Sequence, residues 1–295
     1  MHILHYSLGF PPYRTGGMTI FCVDLMDQQL KSGHQVSLLW PGQIFGKAVR
    51  IKKGEDVNGI RNYELINPLP IPYDEGIQKI EAFTKAGDSN VFISFLKQVK
   101  PHVIHIHTFM GLYSSFVDAA KALDIRIVFT THDFFPICPK VTMYRNGKIC
   151  DSVRTCIDCP KCNSTALGLN RIQILQSPFY RTLKDTSVVK KLRKHHRDEY
   201  LNEKVQGIEE SSRNAYDYLM LRKYYSEMLK KIDVIHYNSS VTQSVYEAII
   251  GVNKNRRIPI THKAVSDNRK VKSFSSGQLR IRYLGPQGGV KGFFC

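Results

Sequence analysis

The sequence predicts an α/β fold, with a mostly parallel sheet covered by helices on both faces and a Cys-rich, helical insertion. Three observations predict it. Short, β-branched, nearly continuous apolar runs recur at residues 35–40 (QVSLLW), 101–107 (PHVIHIH), 125–130 (IRIVFT) and 232–237 (IDVIHY), as expected of parallel strands buried on both sides. Stripes of apolar residues at helical spacing stand between these runs. Strand and helix therefore alternate along the chain.

Taken in order, residues 2–17 (HILHYSLGFPPYRTGG) start as an apolar strand, run into Pro11-Pro12 and end on Gly16-Gly17 just before an amphipathic segment. In that segment Met18, Phe21, Cys22, Leu25, Met26 and Leu30 follow helical spacing, and Gly33 closes it as a C-terminal cap. A second stripe, Val91, Phe92, Phe95, Leu96 and Val99, is ended by Pro101. From residue 131 to about residue 230 the rhythm breaks, first into a Cys-rich loop and then into a polar, basic, helical stretch over 170–231. That stretch reads as an excursion covering the mouth of the sheet. The pattern resumes at 232–237, after which Ser239 or Ser240 is a natural N-cap for a helix through Ile250, with Gly251 just beyond. A polar run at 267–278 (DNRKVKSFSSGQ) reads as a linker, and 279–295 (LRIRYLGPQGGVKGFFC) as the first strand and Gly-rich turn of another α/β unit that stops before its helix. The expected layout is a domain over 1–266 with its insertion at about 133–231, the linker, and the start of a truncated second domain at 279–295.

A chain of 295 residues with 42% hydrophobic content can bury a large core. Its formal charge of +17 creates a positive field that attracts nucleic acid, anionic lipid or phosphorylated substrates. Much of the excess lies late, with 10 basic against 2 acidic residues over 241–295. Tyr200, Tyr216, Tyr218, Tyr224 and Tyr225 interleave with charges as base-stacking residues would, but tyrosines at helical spacing pack against a sheet, so nucleic acid is not the expected partner. No apolar run approaches the roughly 20 residues that cross a bilayer, and His2, His5 and Ser7 interrupt any leader-like stretch. The expectation is a cytoplasmic protein whose seven cysteines are thiols or metal ligands rather than disulfides.

Ligands of open parallel sheets bind at the carboxyl ends of the strands. Three such ends carry polar groups: Gly16-Gly17, His107-Thr108, and Thr131-His132-Asp133. They should converge on one crevice. A Gly-Gly pair ahead of a helix lets backbone approach a ligand and offers free N–H groups to an anion, although glycines also serve a tight turn alone. Two histidines from adjacent strand ends point to a functional pair, whereas His102 and His105 fall within a strand and read as structural. Cys138, Cys150, Cys156, Cys159 and Cys162 include a C-x2-C-x2-C run, a spacing that lets thiolates reach one tetrahedral zinc; a loop of reduced thiols is the alternative. Lys291 follows the glycines of the last strand end and is placed to neutralise a diphosphate.

The opening strand with Gly16-Gly17, the KSGHQV step into the second strand, PHVIHIHTF, THD followed by a Cys-rich tail, IDVIHYNSS before a helix, and the closing RYLGP and KGF together resemble a family 4 glycosyltransferase of the GT-B fold. The resemblance implies two Rossmann-like domains facing each other across a cleft, the first holding the acceptor and the second a nucleotide-sugar donor. It implies transfer with retention and no required metal. It further implies that Gly16 and Gly17 cradle phosphate or acceptor, that His107 lines the cleft near the transferred sugar, that His132 contacts acceptor or donor, and that Lys291 pairs with the donor diphosphate. An Arg two positions after the strand glycine, frequent in the family, is absent, since Pro286 and Gln287 follow Gly285; two donor-gripping glutamates eight apart are also absent.

The expected function is thus transfer of a sugar from a nucleotide-diphosphate sugar to a glycan or lipid-linked acceptor, this chain supplying mainly the acceptor half and being inactive alone. The positive charge would then serve an anionic membrane surface, with the protein peripheral at its inner face. The alternative is a non-catalytic acceptor-binding module. Hydrolysis of, or transfer from, a nucleotide sugar separates the two.

Overall fold

The computed structural model describes residues 1–72, 76–145, 148–151, 153–187, 189–191, 214–251 and 255–260. Lys291, the linker, the last strand end and Tyr200 lie outside the described residues.

Ten strands occur among the described residues: β1 (His2–Tyr6), β2 (Gln35–Pro41), β3 (Arg50–Lys53), β4 (Arg61–Ile66), β5 (Val103–Ile106), β6 (Arg126–Thr130), β7 (Tyr144–Arg145), β8 (Lys148–Ile149), β9 (Val234–Tyr237) and β10 (Asn255–Arg257). Eight form one sheet in the order β10-β9-β6-β5-β1-β2-β4-β3, while β7 and β8 make a separate hairpin. All neighbours in the large sheet pair in parallel except β3 with β4. The mostly parallel sheet expected from the sequence is therefore the sheet observed. The antiparallel edge, β3 and β4, has no apolar run to announce it. Lys52 and Lys53 lie exposed on that edge, where charge discourages pairing with another chain.

The helices are α1 (Gly17–Lys31), α2 (Ile80–Phe83), α3 (Ser89–Val99), α4 (Ser114–Ala122), α5 (Cys159–Cys162), α6 (Leu169–Leu175), α7 (Pro178–Leu183), α8 (Ala215–Lys230) and α9 (Ser240–Ile250). Their ends follow from local chemistry. Asp88 accepts the Asn90 N–H to start α3, and Lys100 turns left-handed (φ 51) ahead of Pro101 to end it. Ser239 Oγ accepts the Thr242 N–H at 3.1 Å to start α9, and Gly251 (φ 62) closes it.

Strand alternation divides the core between the two faces. Cys22 and Met26 of α1 pack with Val36, Leu38, Trp40 and Ile60 on one side. Leu4, Tyr6, Ile104, Ile106 and Phe129 pack with Phe92, Phe95 and Phe116 from α3 and α4 on the other. Burying each such side chain contributes about 1.5–3 kcal/mol, so covering both faces is what holds the sheet.

The excursion does return across the sheet. Arg181 of α7 pairs with Glu64 at 2.8 Å, and Gln176 accepts the Ile71 N–H at 2.8 Å. From α8, Tyr218 donates to Ile77 O (2.9 Å) and Tyr225 to Phe83 O (3.2 Å), while Tyr224 accepts the Ser114 N–H (3.0 Å). These three tyrosines are packing residues; Tyr216 is exposed. Among the described residues no helix is long and apolar enough to cross a membrane.

Candidate functional site

The alternation that sends Leu4, Tyr6, Ile104 and Ile106 into one core sends His5, His105 and His107 to the α1 face. His5 and His105 are direct partners across the β1–β5 ladder. His132 follows β6 next door. Adjacent parallel strands thus bring four imidazoles together.

They are joined by hydrogen bonds. His5 Nε2 meets Gln29 Oε1 at 2.7 Å, His5 Nδ1 meets His107 Nε2 at 3.0 Å, and His107 Nδ1 meets His132 Nε2 at 3.2 Å. Each tautomer follows from the one behind it. Because Gln29 Oε1 accepts from His5 Nε2–H, His5 Nδ1 is a lone pair and takes the proton of His107 Nε2–H. His107 Nδ1 likewise takes that of His132 Nε2–H, which leaves His132 with an unprotonated Nδ1. His105 stands beside the chain, its Nε2 2.8 Å from Thr130 Oγ1.

His107 is 1% exposed and sits behind His132, the partly exposed member. Burial makes the whole chain neutral. It holds His5 and His132 down at about 4 and pushes His107 and His105 well below the usual imidazole value, neighbouring histidines adding to the effect for the latter two. His5, His105 and His107 offer ring nitrogens within 4.8 Å of one another, and Cys22 Sγ lies within the same distance of nitrogens of His107 and His132. The first set already directs nitrogens at one another, at Gln29 and at Thr130. In the second, His107 Nδ1 and His132 Nε2 already face each other at 3.2 Å, and burial raises the Cys22 thiol to about 12. The hydrogen-bonded chain accounts for these atoms better than a cation does.

Helix α1 links the glycine turn to the imidazoles. Gly16 caps it at φ 123, ψ 167 with no side-chain cap, and a Cβ at Gly16 or Gly17 would meet nothing within 4 Å. One turn on, the Phe21 ring lies 5.1 Å from His132 and 6.1 Å from His107, edge-on to both. The loop ahead of the glycines is ringed by cations: Arg181 and Lys184 each stand 4.6 Å from the centre of the Tyr13 ring, and Arg14 lies 5.4 Å from it.

The other residues singled out from the sequence have local partners. Thr108 is buried and its hydroxyl accepts the Met110 N–H at 3.1 Å. Asp133 Oδ1 accepts the Phe135 N–H at 2.9 Å, and its carbonyl accepts from Tyr246 at 2.8 Å, so it shapes the loop after β6. The sequence reading passed over His5 and Gln29 as site residues. The signal was the period of two in the strands, which sets His5, His105 and His107 on one face, together with Gln29 on the buried flank of α1.

The five clustered cysteines do not gather as a single set. Cys138, Cys150, Cys159 and Cys162 line one small cavity. Cys156 is not part of that lining: its sulfur lies 2.7 Å from Arg222 Nη1 and hydrogen-bonds Cys159, while Arg222 Nε donates to Ile137 O at 2.9 Å. Hydrogen bonding from Cys159 and the guanidinium lower the Cys156 thiol to about 6, and the same bond raises Cys159. Burial raises Cys138 to about 11. The six described cysteines are all free of disulfides.

One family model matches part of this chain. Residues 15–154 match the Glycosyltransferase Family 4 model. The matched stretch holds Gly16, Gly17, His107 and His132, so the family resemblance read from the sequence holds across the candidate site. Among solved structures, the chain is similar to MurG of Acinetobacter baumannii, with 9% identity over 90% of this chain and 47% of that one, at a TM-score of 0.35. It is similar to a UDP-forming α,α-trehalose-phosphate synthase from Burkholderia xenovorans, with 10% identity over 83% of this chain and 42% of that one, at a TM-score of 0.38. It is also similar to an E. coli structure described as trehalose-6-phosphate bound with UDP-2-fluoro glucose, with 11% identity over 88% of this chain and 49% of that one, at a TM-score of 0.40. The chain thus spans about half the length of these structures. No curated protein matches it.

Proposed function

We propose that this chain serves glycosyl transfer, moving a sugar with retention from a nucleotide-diphosphate donor to a glycan or lipid-linked acceptor. The observation that carries the reading is the junction of an uncapped glycine turn with His132 through the first turn of α1, within the stretch matching the family model. The turn presents backbone N–H groups, and Arg14, Arg181 and Lys184 surround the loop before it, which suits a phosphorylated ligand.

In the reaction the acceptor oxygen replaces the diphosphate oxygen at the anomeric carbon, and the nucleotide diphosphate leaves carrying the acceptor's proton. His132, held at about 4, is neutral at pH 7 and too weak a base to take that proton. Its role is to accept a hydrogen bond at Nδ1 and orient the acceptor hydroxyl, with His107 positioning it from behind. Lys291 belongs to the donor side, where it offsets diphosphate charge. No metal is needed for this chemistry. Residues 1–266 form the acceptor domain, 267–278 the linker and 279–295 the start of the donor domain. The +17 charge serves peripheral binding to the anionic inner face of a membrane, where the lipid-linked acceptor lies.

The test is release of free nucleotide diphosphate from a panel of nucleotide-diphosphate sugars offered with glycan and lipid-linked acceptors, comparing wild type with His132→Ala. Turnover that falls at least tenfold in the variant is expected. Turnover with an unchanged variant contradicts the role of His132, and absence of turnover across the panel leaves the acceptor-binding module as the better account.

A further inference from the structure

We propose that Cys138, Cys150, Cys159 and Cys162 bind a single structural zinc ion, with Cys156 outside the ligand set. The four arrive from three places: the loop after β6, the end of the β7–β8 hairpin, and the two ends of α5. All four line one cavity of about 20 Å3. A water needs about 10–15 Å3 on this measure, so the space admits one small body and excludes an organic ligand. Four sulfur donors select zinc among common ions, and Asp158, Lys140 and Arg222 also line the cavity.

Sequence spacing becomes informative once the cavity names its lining. C-x2-C from Cys159 and Cys162 supplies one pair, and Cys138 with Cys150 supplies a second, separated pair. That is the two-pair arrangement usual for tetrahedral zinc, hidden in the sequence by the extra Cys156. Cys156 does not line the cavity; it lies behind Cys159, hydrogen-bonded to it and to Arg222, the latter at 2.7 Å. The same guanidinium reaches Cys159 Sγ at 3.9 Å. A zinc with four thiolates carries net charge −2, and a fixed cation beside it offsets part of that charge.

The backbone also points to an added clamp. Val141, Met143 and Cys156 are left-handed, at φ 69, 53 and 56. Each is a non-glycine residue in a region that L side chains disfavour. This segment has little regular structure to compensate, only the two-residue strands β7 and β8 and the four-residue α5. No three of the four sulfurs lie within 4.8 Å of one another among the described residues. Capture therefore draws them inward to Zn–S distances of about 2.3 Å, and each thiol gives its proton to solvent. The ion would thereby fasten the segment that begins at His132 and Asp133 to Arg222 of α8.

Metal content of the purified full chain, measured by elemental mass spectrometry, tests the inference. About one zinc per chain is expected in wild type and in Cys156→Ser, and less than a tenth of that in Cys150→Ser and Cys159→Ser. Should the last two fail to fold, thiol alkylation of the wild-type chain replaces them. A strong chelator is then expected to raise labelling at Cys138, Cys150, Cys159 and Cys162 together, mapped by peptide mass. Absence of zinc, another metal in its place, loss of zinc in Cys156→Ser, or labelling unaffected by the chelator would each overturn the proposal. None of these readouts depends on glycosyl transfer.

Discussion

His107 Nδ1 lies 3.2 Å from Nε2 of His132, which makes the partly exposed imidazole the last member of a buried chain that starts at Gln29. A surface histidine ordinarily samples both tautomers and titrates near neutrality. Here its proton is fixed at one nitrogen by residues from three separate elements, α1, β1 and the end of β5, and burial keeps it neutral.

Gln29 therefore has a measurable role far from the surface. In Gln29→Leu the buried His5 Nε2–H loses its acceptor, which costs about 1–3 kcal/mol. Chemical denaturation should show that loss, and imidazole nitrogen NMR should show His132 turning from one tautomer to a mixture. In Gln29→Glu the acceptor remains and the His132 tautomer should stay fixed. A fixed tautomer in the leucine variant would break the chain of inference from Gln29 outward.

Stability should depend on pH in a defined window. His5 and His132 are held at about 4 in the folded protein, below the ordinary 6.5, so the unfolded chain binds more protons between these values. Their contribution is therefore fully present above pH 6.5 and is lost as pH falls toward 4, at up to about 1.4 kcal/mol per pH unit for each histidine. Urea midpoints measured from pH 7.5 down to 4.5 should fall, and fall less steeply in His5→Asn. Midpoints flat over that range would contradict the neutral buried state.

The two glycines should respond differently to alanine. Gly16 sits at φ 123, a backbone that a side chain resists even with open space around its Cβ, so Gly16→Ala should lose about 1–3 kcal/mol. Gly17 begins α1 with no such φ, and Gly17→Ala should be neutral or gain up to about 1 kcal/mol. Thermal denaturation of the two variants decides it. Equal losses would mean that the turn is held by something other than its dihedral angles.

The sheet was legible because parallel strands leave apolar runs, and 35–40, 101–107, 125–130 and 232–237 each contain one. β3 was not, because Arg50–Lys53 is an exposed edge whose partner, not its composition, makes it a strand. Helix ends at Gly33, Pro101 and Gly251 were legible for local reasons. The period of two sets His5, His105 and His107 on one face, but that His5 meets His107 depends on a register about a hundred residues long, which the period alone does not encode. His107 does directly follow β5, as its place in the sequence implies, but its depth behind His132 is a property of packing.

Charge should govern membrane affinity. Vesicles rich in anionic lipid should bind the full chain at low ionic strength and release it as salt rises, each surface Lys or Arg contributing about 1 kcal/mol. Cosedimentation measures this. Failure to bind anionic vesicles at low salt would remove the membrane from the account.

The most direct test of the central claim is an NMR titration of the full chain with nucleotide-diphosphate sugars, following the Gly17 amide and the His132 ring. The account predicts that both signals move together along one saturation curve. Saturable binding that moves neither, or shifts the two with different affinities, would contradict one ligand site spanning the glycine turn and the imidazole chain.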